Sequence, residues 1–118
     1  MSTYDPDNIF AKIIRGEIPS KKVFENEKVY AFEDINPQAP IHILIIPKAE
    51  IATVNDFTEE NKELIGEIFL TAQQIAKEKG ISEDGYRLVF NCNRYGGQEV
   101  YHAHLHLLGG RPMKWPPG

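Results

Sequence analysis

Residues 102–106 read His-Ala-His-Leu-His and place three of the chain's four histidines at every second position. Because side chains in a β-strand alternate between its two faces, this spacing puts all three imidazole rings on one face and Ala103 and Leu105 on the other. On a helix the same spacing would spread the rings around the axis. The pattern therefore predicts a strand over residues 100–108, with chemistry on one face and core packing on the other.

The spacing of these rings limits what they can do together. Neighbouring rings on one strand face are about 6.7 Å apart and the outer two about 13 Å, so three cannot easily converge on one tetrahedral metal with bonds of about 2.1 Å. Two of them could, given a carboxylate from elsewhere. Alternatively the middle ring, His104, attacks phosphorus as a neutral nucleophile, since crowded rings oppose each other's protonation. Packing, a metal site and nucleotidyl chemistry are three open interpretations.

The segment just before the histidines has the composition of an anion site. Gly96-Gly97-Gln98 can turn the backbone so that amide N–H groups face a phosphate, and the side chains of Asn91 and Gln98 add uncharged donors. An ordinary glycine turn with polar neighbours is the alternative interpretation. The fourth histidine, His42, has apolar neighbours and fits either a core or a site position.

Composition narrows the class of protein. A chain of 118 residues with 42% hydrophobic and 25% charged residues is typical of one globular domain, which we place over residues 1–118. The net charge of -4 argues against coating nucleic acid, but not against binding one small nucleotide. The single cysteine, Cys92, excludes an internal disulfide and fits a reducing compartment.

The sequence contains no segment typical of membrane insertion or export. Its longest apolar run, over residues 41–47, is far shorter than the roughly 20 residues of a spanning helix. The first residues lack the basic and apolar regions of a secretory peptide. We therefore expect no membrane partner and a cytoplasmic location.

Predicted strands come in adjacent groups around one long helix, which indicates an α+β domain with a mainly antiparallel sheet. The apolar stripe of this helix, from Leu64 to Ala76, would cover one sheet face and leave the other free, with Thr58 as N-cap and Gly80 as the stop. The other predicted elements are a polar leader over 1–7, a short helix over 9–14, hairpin strands over 22–25 and 28–33, a loop over 34–40, a central strand over 41–46, a strand over 86–93, a turn over 94–97 and a proline-rich tail over 111–118.

Residues 101–108, Tyr-His-Ala-His-Leu-His-Leu-Leu, match the His-φ-His-φ-His-φ-φ signature of the histidine-triad (HIT) nucleotide-binding family. Four more segments resemble its Hint branch, and the resemblance extends from about residue 9 to residue 118. They are Lys-Ile-Ile-Arg-Gly-Glu-Ile-Pro at 12–19, Asp-Ile-Asn-Pro-Gln-Ala-Pro at 34–40, Gly-Gly-Gln at 96–98 and Trp-Pro-Pro-Gly at 115–118. The resemblance implies a single HIT domain with a five-stranded antiparallel sheet and two helices, and a homodimer whose strands join into one continuous sheet.

The resemblance also implies an activity, that of a purine nucleoside phosphoramidase. Such enzymes hydrolyse the P–N bond of nucleoside 5′-phosphoramidates, including AMP joined to lysine, through a covalent nucleotidyl-histidine intermediate. By match to the motif, His104 would be the nucleophile, His106 and His102 would contact phosphate or orient the neighbouring rings, and His42 would support His104 from behind. The implied substrate-binding residues are Asn91, Gln98 and the backbone around Gly97 and Glu99 for the phosphate, Asp34 for the ribose, and Ile9, Phe10 and Ile35 for the base.

The chain departs from the pattern of some relatives that hold zinc. Their ligands are two cysteines near the N-terminus, a histidine after the Ile-Pro-Lys stretch and the first triad histidine. The first three of these positions hold Asn8, Ala11 and Glu50 here, so no metal or other cofactor is expected. Three rival functions remain: cleavage of dinucleoside polyphosphates, nucleotide binding by a non-catalytic adaptor, and metal-dependent hydrolysis.

Overall fold

The fold is built on one five-stranded antiparallel sheet with the strand order β1-β2-β3-β5-β4. A computed structural model describes residues 3–118; residues 1 and 2, part of the predicted polar leader, lie outside the described residues. The strands are β1 (Lys22–Glu25), β2 (Val29–Glu33), β3 (Ile41–Pro47), β4 (Tyr86–Phe90) and β5 (Leu105–Gly109). The helices are α1 (Ile9–Ile14), α2 (Lys62–Glu78) and the single turn α3 (Asn93–Gly96). The predicted α+β class, the antiparallel sheet and its long and short helices are confirmed.

The long helix α2 packs on one face of the sheet. Alternation along the two central strands turns Ile43 and Ile45 of β3, and Leu105 and Leu107 of β5, toward this helix, where each is at most 1% exposed. Ile68 of α2 is fully buried against them. The even-numbered residues of both strands therefore point to the opposite face.

The short helix α1 covers part of that opposite face. Its Phe10 and Ile13 form a second core cluster with Phe32 and Leu44. The side chain of Asn8 begins the helix by accepting a hydrogen bond from the N–H of Ala11. Because α1 is only six residues long, it leaves the part of this face over β3 and β5 open to a ligand.

The last strand begins later than its periodicity predicts. It pairs with β3 from Ile41–Gly109 to Ile45–Leu105, and residues 100–102 form a bend instead of extended strand. Continued by two residues, this register would set Ala103 opposite Pro47, which has no N–H to donate to a ladder. Ala103 instead donates its N–H to the carbonyl of Ile51, 2.8 Å away. The prediction of one strand over residues 100–108 is therefore wrong at its start.

Other element boundaries also differ from prediction. The strand β4 ends at Phe90, and the expected turn is the short helix α3, which Gly97 ends with a φ of 79°. A positive φ is favourable for glycine because it has no Cβ. Thr58 precedes a 3₁₀ turn, Glu59–Asn61, and Asn61 occupies the N-cap position of α2 without a side-chain hydrogen bond to that helix. The proline-rich tail has no helix or strand, as predicted.

Within residues 3–118, none of the helices has the length and apolar character that crossing a bilayer requires.

Candidate active site

A pocket of about 420 Å³ opens on the sheet face beside α1. This volume lies in the range of small-molecule sites, roughly 300–1,000 Å³. Ten of the twelve predicted site residues line it, all except His102 and Gln98. The ten are Ile9, Phe10, Asp34, Ile35, His42, Asn91, Gly97, Glu99, His104 and His106. Because they come from six separate segments, only the fold brings them together.

Two of the three triad histidines line the pocket. His106 belongs to β5, and His104 directly precedes this strand. The ring centroids of His104 and His106 are 4.9 Å apart, and the ring of Phe10 meets His104 edge-on at 5.0 Å. Nδ1 of His104 lies 2.8 Å from the carbonyl oxygen of His102. Since a carbonyl only accepts, Nδ1 carries the proton, and Nε2 of neutral His104 keeps its lone pair.

The tautomer of His106 is determined by a chain of hydrogen bonds that starts at a backbone amide. The N–H of Gln38 lies 3.0 Å from Nδ1 of His42, so that nitrogen must accept and His42 carries its proton on Nε2. Nε2 of His42 lies 2.9 Å from Nδ1 of His106 and donates to it. Neutral His106 therefore carries its proton on Nε2, a buried atom with no hydrogen-bond partner among the described residues.

Burial keeps these rings neutral. It lowers the pKa of His104 below 6.5, and it lowers the pKa of His106, with a further contribution from the neighbouring histidines, to about 4. Burial also lowers the pKa of His42, although the carboxylate of Asp34 opposes this shift. A second proton on His42 or His106 would have to displace one of the hydrogen bonds above. The pair thus leaves the Nε2–H of His106, a residue that lines the pocket, available as an uncharged donor.

His102 does not stand beside the other two triad rings. It is completely buried, with Nε2 2.7 Å from the carbonyl of Pro47 and Nδ1 2.7 Å from the hydroxyl of Tyr4. The expectation that all three rings line one strand face is wrong for His102, because the chain bends at residues 100–102 before the strand begins. Its ring is held in the interior, and only its carbonyl reaches His104.

Sequence comparison decides the family. A model of the HIT domain matches residues 15–113 of the chain. The chain belongs to the HIT family. It is 58% identical over 107 residues to the purine nucleoside phosphoramidase of Escherichia coli K12, a match that covers 91% of this chain and 90% of that protein. It is also 53% identical over 116 residues to a 14 kDa zinc-binding protein of Zea mays, which covers 97% of this chain and 90% of the maize protein.

A solved structure agrees with the HIT fold of this chain. The crystal structure of a HIT family hydrolase from Legionella pneumophila Philadelphia 1 superposes with a TM-score of 0.92 at 59% identity. The match covers 93% of this chain and 98% of the Legionella chain.

The side chain of Gln98 lies outside the pocket of this HIT domain. Its Oε1 accepts from the N–H of Asn93, and its Nε2 donates to the carbonyls of Ala52 and Val100. Both amide hydrogens are thus engaged, and the backbone N–H of Gln98 donates to the carbonyl of Asn93. Gln98 therefore has no donor left for a phosphate, contrary to the expectation, and it holds the loop at the pocket wall instead.

The polar and apolar residues of the HIT pocket lie in separate parts of its wall. Asp34 accepts a hydrogen bond from the N–H of Asn36 through Oδ1, and its Oδ2 lies 3.4 Å from Nε2 of His42. The apolar wall includes Phe10, which is 7% exposed, and Ile35, which is 93% exposed. A buried aromatic floor with an exposed aliphatic residue at the rim suits a flat ring system that enters from solvent.

The location of His42 corrects another expectation. The resemblance implies that it supports His104 from behind, but the hydrogen bond from its Nε2 and its ring contact, at 5.2 Å between centroids, are with His106. Tyr4 is a residue that the sequence did not single out. It belongs to the predicted polar leader, and nothing in its neighbourhood in the chain indicates a partner 98 residues away.

The residues of this HIT domain do not fit a metal ion. Within residues 3–118, Asp34, His42 and His106 form the one group whose ligand atoms lie close enough together, within 4.8 Å. A metal on Nε2 of His42 would require that atom to give up its proton, and the proton cannot move to Nδ1 because the Gln38 N–H faces it. At the positions of the zinc ligands in some relatives, Asn8 is a helix cap and His102 already uses both ring nitrogens.

Proposed function

We propose that this chain is a purine nucleoside phosphoramidase that hydrolyses the P–N bond of nucleoside 5′-phosphoramidates, such as AMP joined to lysine. One observation carries the proposal: the carbonyl of His102 accepts a hydrogen bond from Nδ1–H of His104, which leaves Nε2 of the neutral ring with its lone pair as the nucleophile. The 58% identity to the Escherichia coli enzyme of that name supports the same activity. Binding of AMP or GMP as a small-molecule partner follows from it.

The first half of the reaction transfers the nucleotide to the protein. Nε2 of His104 attacks phosphorus, the P–N bond breaks, and the amine leaves with the bonding electrons and one proton from solvent. Nδ1–H of His104 stays hydrogen-bonded to the His102 carbonyl, which stabilises the positive charge that the ring gains. The product of this half is a covalent nucleotidyl-His104.

The second half releases the nucleotide. Water attacks phosphorus and gives up a proton, the bond from phosphorus to Nε2 breaks, and its electron pair returns to His104. In both halves, Nε2–H of His106 donates a hydrogen bond to a phosphoryl oxygen. A neutral donor fits this task because it stabilises developing negative charge without holding the product as a fixed cation would.

We assign the remaining pocket residues by position. The carboxylate of Asp34 would accept hydrogen bonds from the ribose hydroxyls, and Ile9, Phe10 and Ile35 would contact the base. Asn91 and the backbone at Gly97 and Glu99 would bind the phosphate. In support, each of these residues lines the pocket that also holds His104.

The test is to trap the intermediate. The protein is mixed with a fluorogenic adenosine phosphoramidate, quenched in base and analysed by peptide mass spectrometry. We expect an AMP adduct on His104, and His104→Ala should lower turnover at least about a thousandfold while AMP binding changes little. Full turnover in His104→Ala would contradict the assignment.

Parallel assays separate the rival functions. Faster cleavage of diadenosine tri- or tetraphosphate than of the phosphoramidate would favour a dinucleoside polyphosphate hydrolase. Tight AMP binding without turnover would favour an adaptor. Loss of activity after exhaustive chelation would favour a metal-dependent hydrolase, whereas we expect activity to survive.

We also propose a homodimer in which the β4 strands of two subunits pair. β4 is an edge strand, and all five of its residues are half-buried. Beside it, Phe69 and Leu70 on α2 are 41% and 61% exposed, and the ring of Phe69 lies 6.1 Å from that of Phe90. A second copy would cover this apolar surface and pair the free edge, which a single chain leaves open.

Sedimentation of two variants tests the dimer. Leu70→Glu places a charge in the proposed interface, and we expect it to sediment as a monomer. Lys21→Glu makes a larger charge change at an exposed position beside β1, the opposite edge of the sheet, and should sediment like the wild type. A monomeric wild type, or a dimeric Leu70→Glu, would contradict the proposal.

A further inference from the structure

Tyr4 makes a long-range contact with a residue next to the proposed nucleophile. Its hydroxyl oxygen lies 2.7 Å from Nδ1 of His102, and the two rings meet edge-on with their centroids 5.6 Å apart. His102 is completely buried, whereas Tyr4 is half-buried. The hydroxyl thus reaches an interior nitrogen from a segment that precedes the first helix.

The direction of this hydrogen bond follows from the other side of the ring. Nε2 of His102 faces the carbonyl of Pro47 and must donate to it, so Nδ1 of the neutral ring has a lone pair and accepts from Tyr4. Burial raises the pKa of Tyr4, which keeps its hydroxyl protonated, and burial lowers the pKa of His102. Both nitrogens of the ring are therefore satisfied by fixed groups of the protein.

We propose that Tyr4 is a positioning residue for His104 and acts through His102. Hydrogen bonds at both ring nitrogens fix the position of His102. Its carbonyl oxygen, 2.8 Å from Nδ1 of His104, accepts a hydrogen bond from that nitrogen. This inference rests on the proposed function, in which that carbonyl selects the reactive tautomer of the nucleophile.

The anchor is needed because residues 102–104 lie outside the strand. Strand pairing of β5 with both β3 and β4 stops at Leu105, and before it the N–H of Ala103 donates to the carbonyl of Ile51. The hydrogen bonds of the His102 ring add a second attachment to this short segment. Without the Tyr4 hydroxyl, Nδ1 of His102 would be a buried acceptor without a donor, which is unfavourable, and the segment would shift to satisfy it. The carbonyl at His102 would then move relative to His104.

The kinetic test removes only the hydroxyl. Tyr4→Phe should slow formation of nucleotidyl-His104 in single turnover by about tenfold, the factor expected when a buried acceptor loses its donor, with KM nearly unchanged. Tyr101→Phe removes a hydroxyl one residue from His102 that makes no hydrogen bond in the described structure, and it should react at the wild-type rate. A rate for Tyr4→Phe equal to the wild type would overturn the inference.

A spectroscopic test needs no substrate and stands if the proposed activity fails. In ¹⁵N spectra of the histidine rings, Tyr4→Phe should move Nδ1 of His102 toward the shift of a free unprotonated nitrogen and should also move the ring resonances of His104. A shift confined to His102 would show that Tyr4 only tethers the chain, and it would overturn the positioning role even in an inactive protein.

A double variant provides the last check. In a His102→Ala background the acceptor is gone, so adding Tyr4→Phe should leave the single-turnover rate unchanged. Multiplicative losses in the double variant would mean that Tyr4 acts by another route and would contradict the inference.

Discussion

The backbone N–H of Gln38 lies 3.0 Å from Nδ1 of His42. Because an amide N–H can only donate, this contact determines the tautomer of His42 and, through the 2.9 Å bond from Nε2 of His42, the tautomer of His106. A loop amide thus determines that the proton of neutral His106 is on Nε2. His104 is arranged the opposite way, since its Nδ1–H donates to a carbonyl and its Nε2 remains an acceptor.

This relay predicts different outcomes for two substitutions of His42. His42→Phe removes the donor to Nδ1 of His106, so the His106 proton can settle on either nitrogen; we expect kcat to fall about 10- to 100-fold, as for one buried hydrogen bond. His42→Gln supplies an amide N–H near the position of Nε2 and should lose less. Steady-state kinetics on one phosphoramidate makes the comparison, and equal losses in both variants would rule out the relay.

Asp34 should contribute to recognition of the sugar. If its carboxylate accepts hydrogen bonds from the ribose, Asp34→Ala should lower kcat/KM about tenfold or more for an adenosine phosphoramidate, and much less for the 2′,3′-dideoxy analogue. The ratio between the two substrates is the measurement. It separates sugar recognition from the effect on His42, whose Nε2 lies 3.4 Å from this carboxylate, because that effect is common to both substrates.

The lowered pKa of His104 predicts the acid side of the pH–rate profile. Nε2 attacks only when it is unprotonated, and burial holds the pKa of His104 below 6.5. The single-turnover rate should therefore stay constant as pH falls through 6.5 and decline only at lower pH. A decline centred at or above 6.5 would show that burial does not shift this group in solution.

The same shifts predict how stability depends on pH. His106 has a pKa of about 4 in the folded protein and 6.5 when unfolded, so between these values the unfolded chain binds more protons. The free energy of unfolding should thus decrease as pH falls below 6.5 and be insensitive to this group at higher pH. Urea unfolding measures it, and His106→Asn, which cannot titrate, should show a shallower decrease between about pH 6.5 and 5. An identical decrease in both proteins would assign the proton uptake to other groups.

Several elements could be predicted because they depend on short stretches of chain. The apolar spacing of residues 9–14, ended by Gly16, predicted α1 with the bounds that the structure has. The alternation around Leu105 and Leu107 predicted which side of β5 meets the core. The spacing of apolar residues in each stretch equals the period of the helix or strand that it forms, so a short stretch of sequence is sufficient to predict the element.

The misplaced residues depended on contacts between distant segments. His102 fits the alternating pattern, but the strand stops where Pro47 would come opposite. That register depends on β3, and Pro47 lies 55 residues from His102 in the chain. The position of Gln98 after two glycines predicts a phosphate donor, but one N–H of its side-chain amide donates to the carbonyl of Ala52, 46 residues away. No local signal marks either partner.

The amino-acid sequence by itself determined the antiparallel α+β architecture, the two faces of its last strand and the residue types at its pocket, because periodicity and side-chain chemistry are local. Tertiary structure decided which nitrogen of each histidine carries the proton. That depends on which carbonyl, amide or hydroxyl faces each ring. Tyr4 and Pro47 reach His102, and His42 reaches His106, from distant parts of the chain, whereas the partners of His42 and His104 are close in the chain but are oriented by the fold.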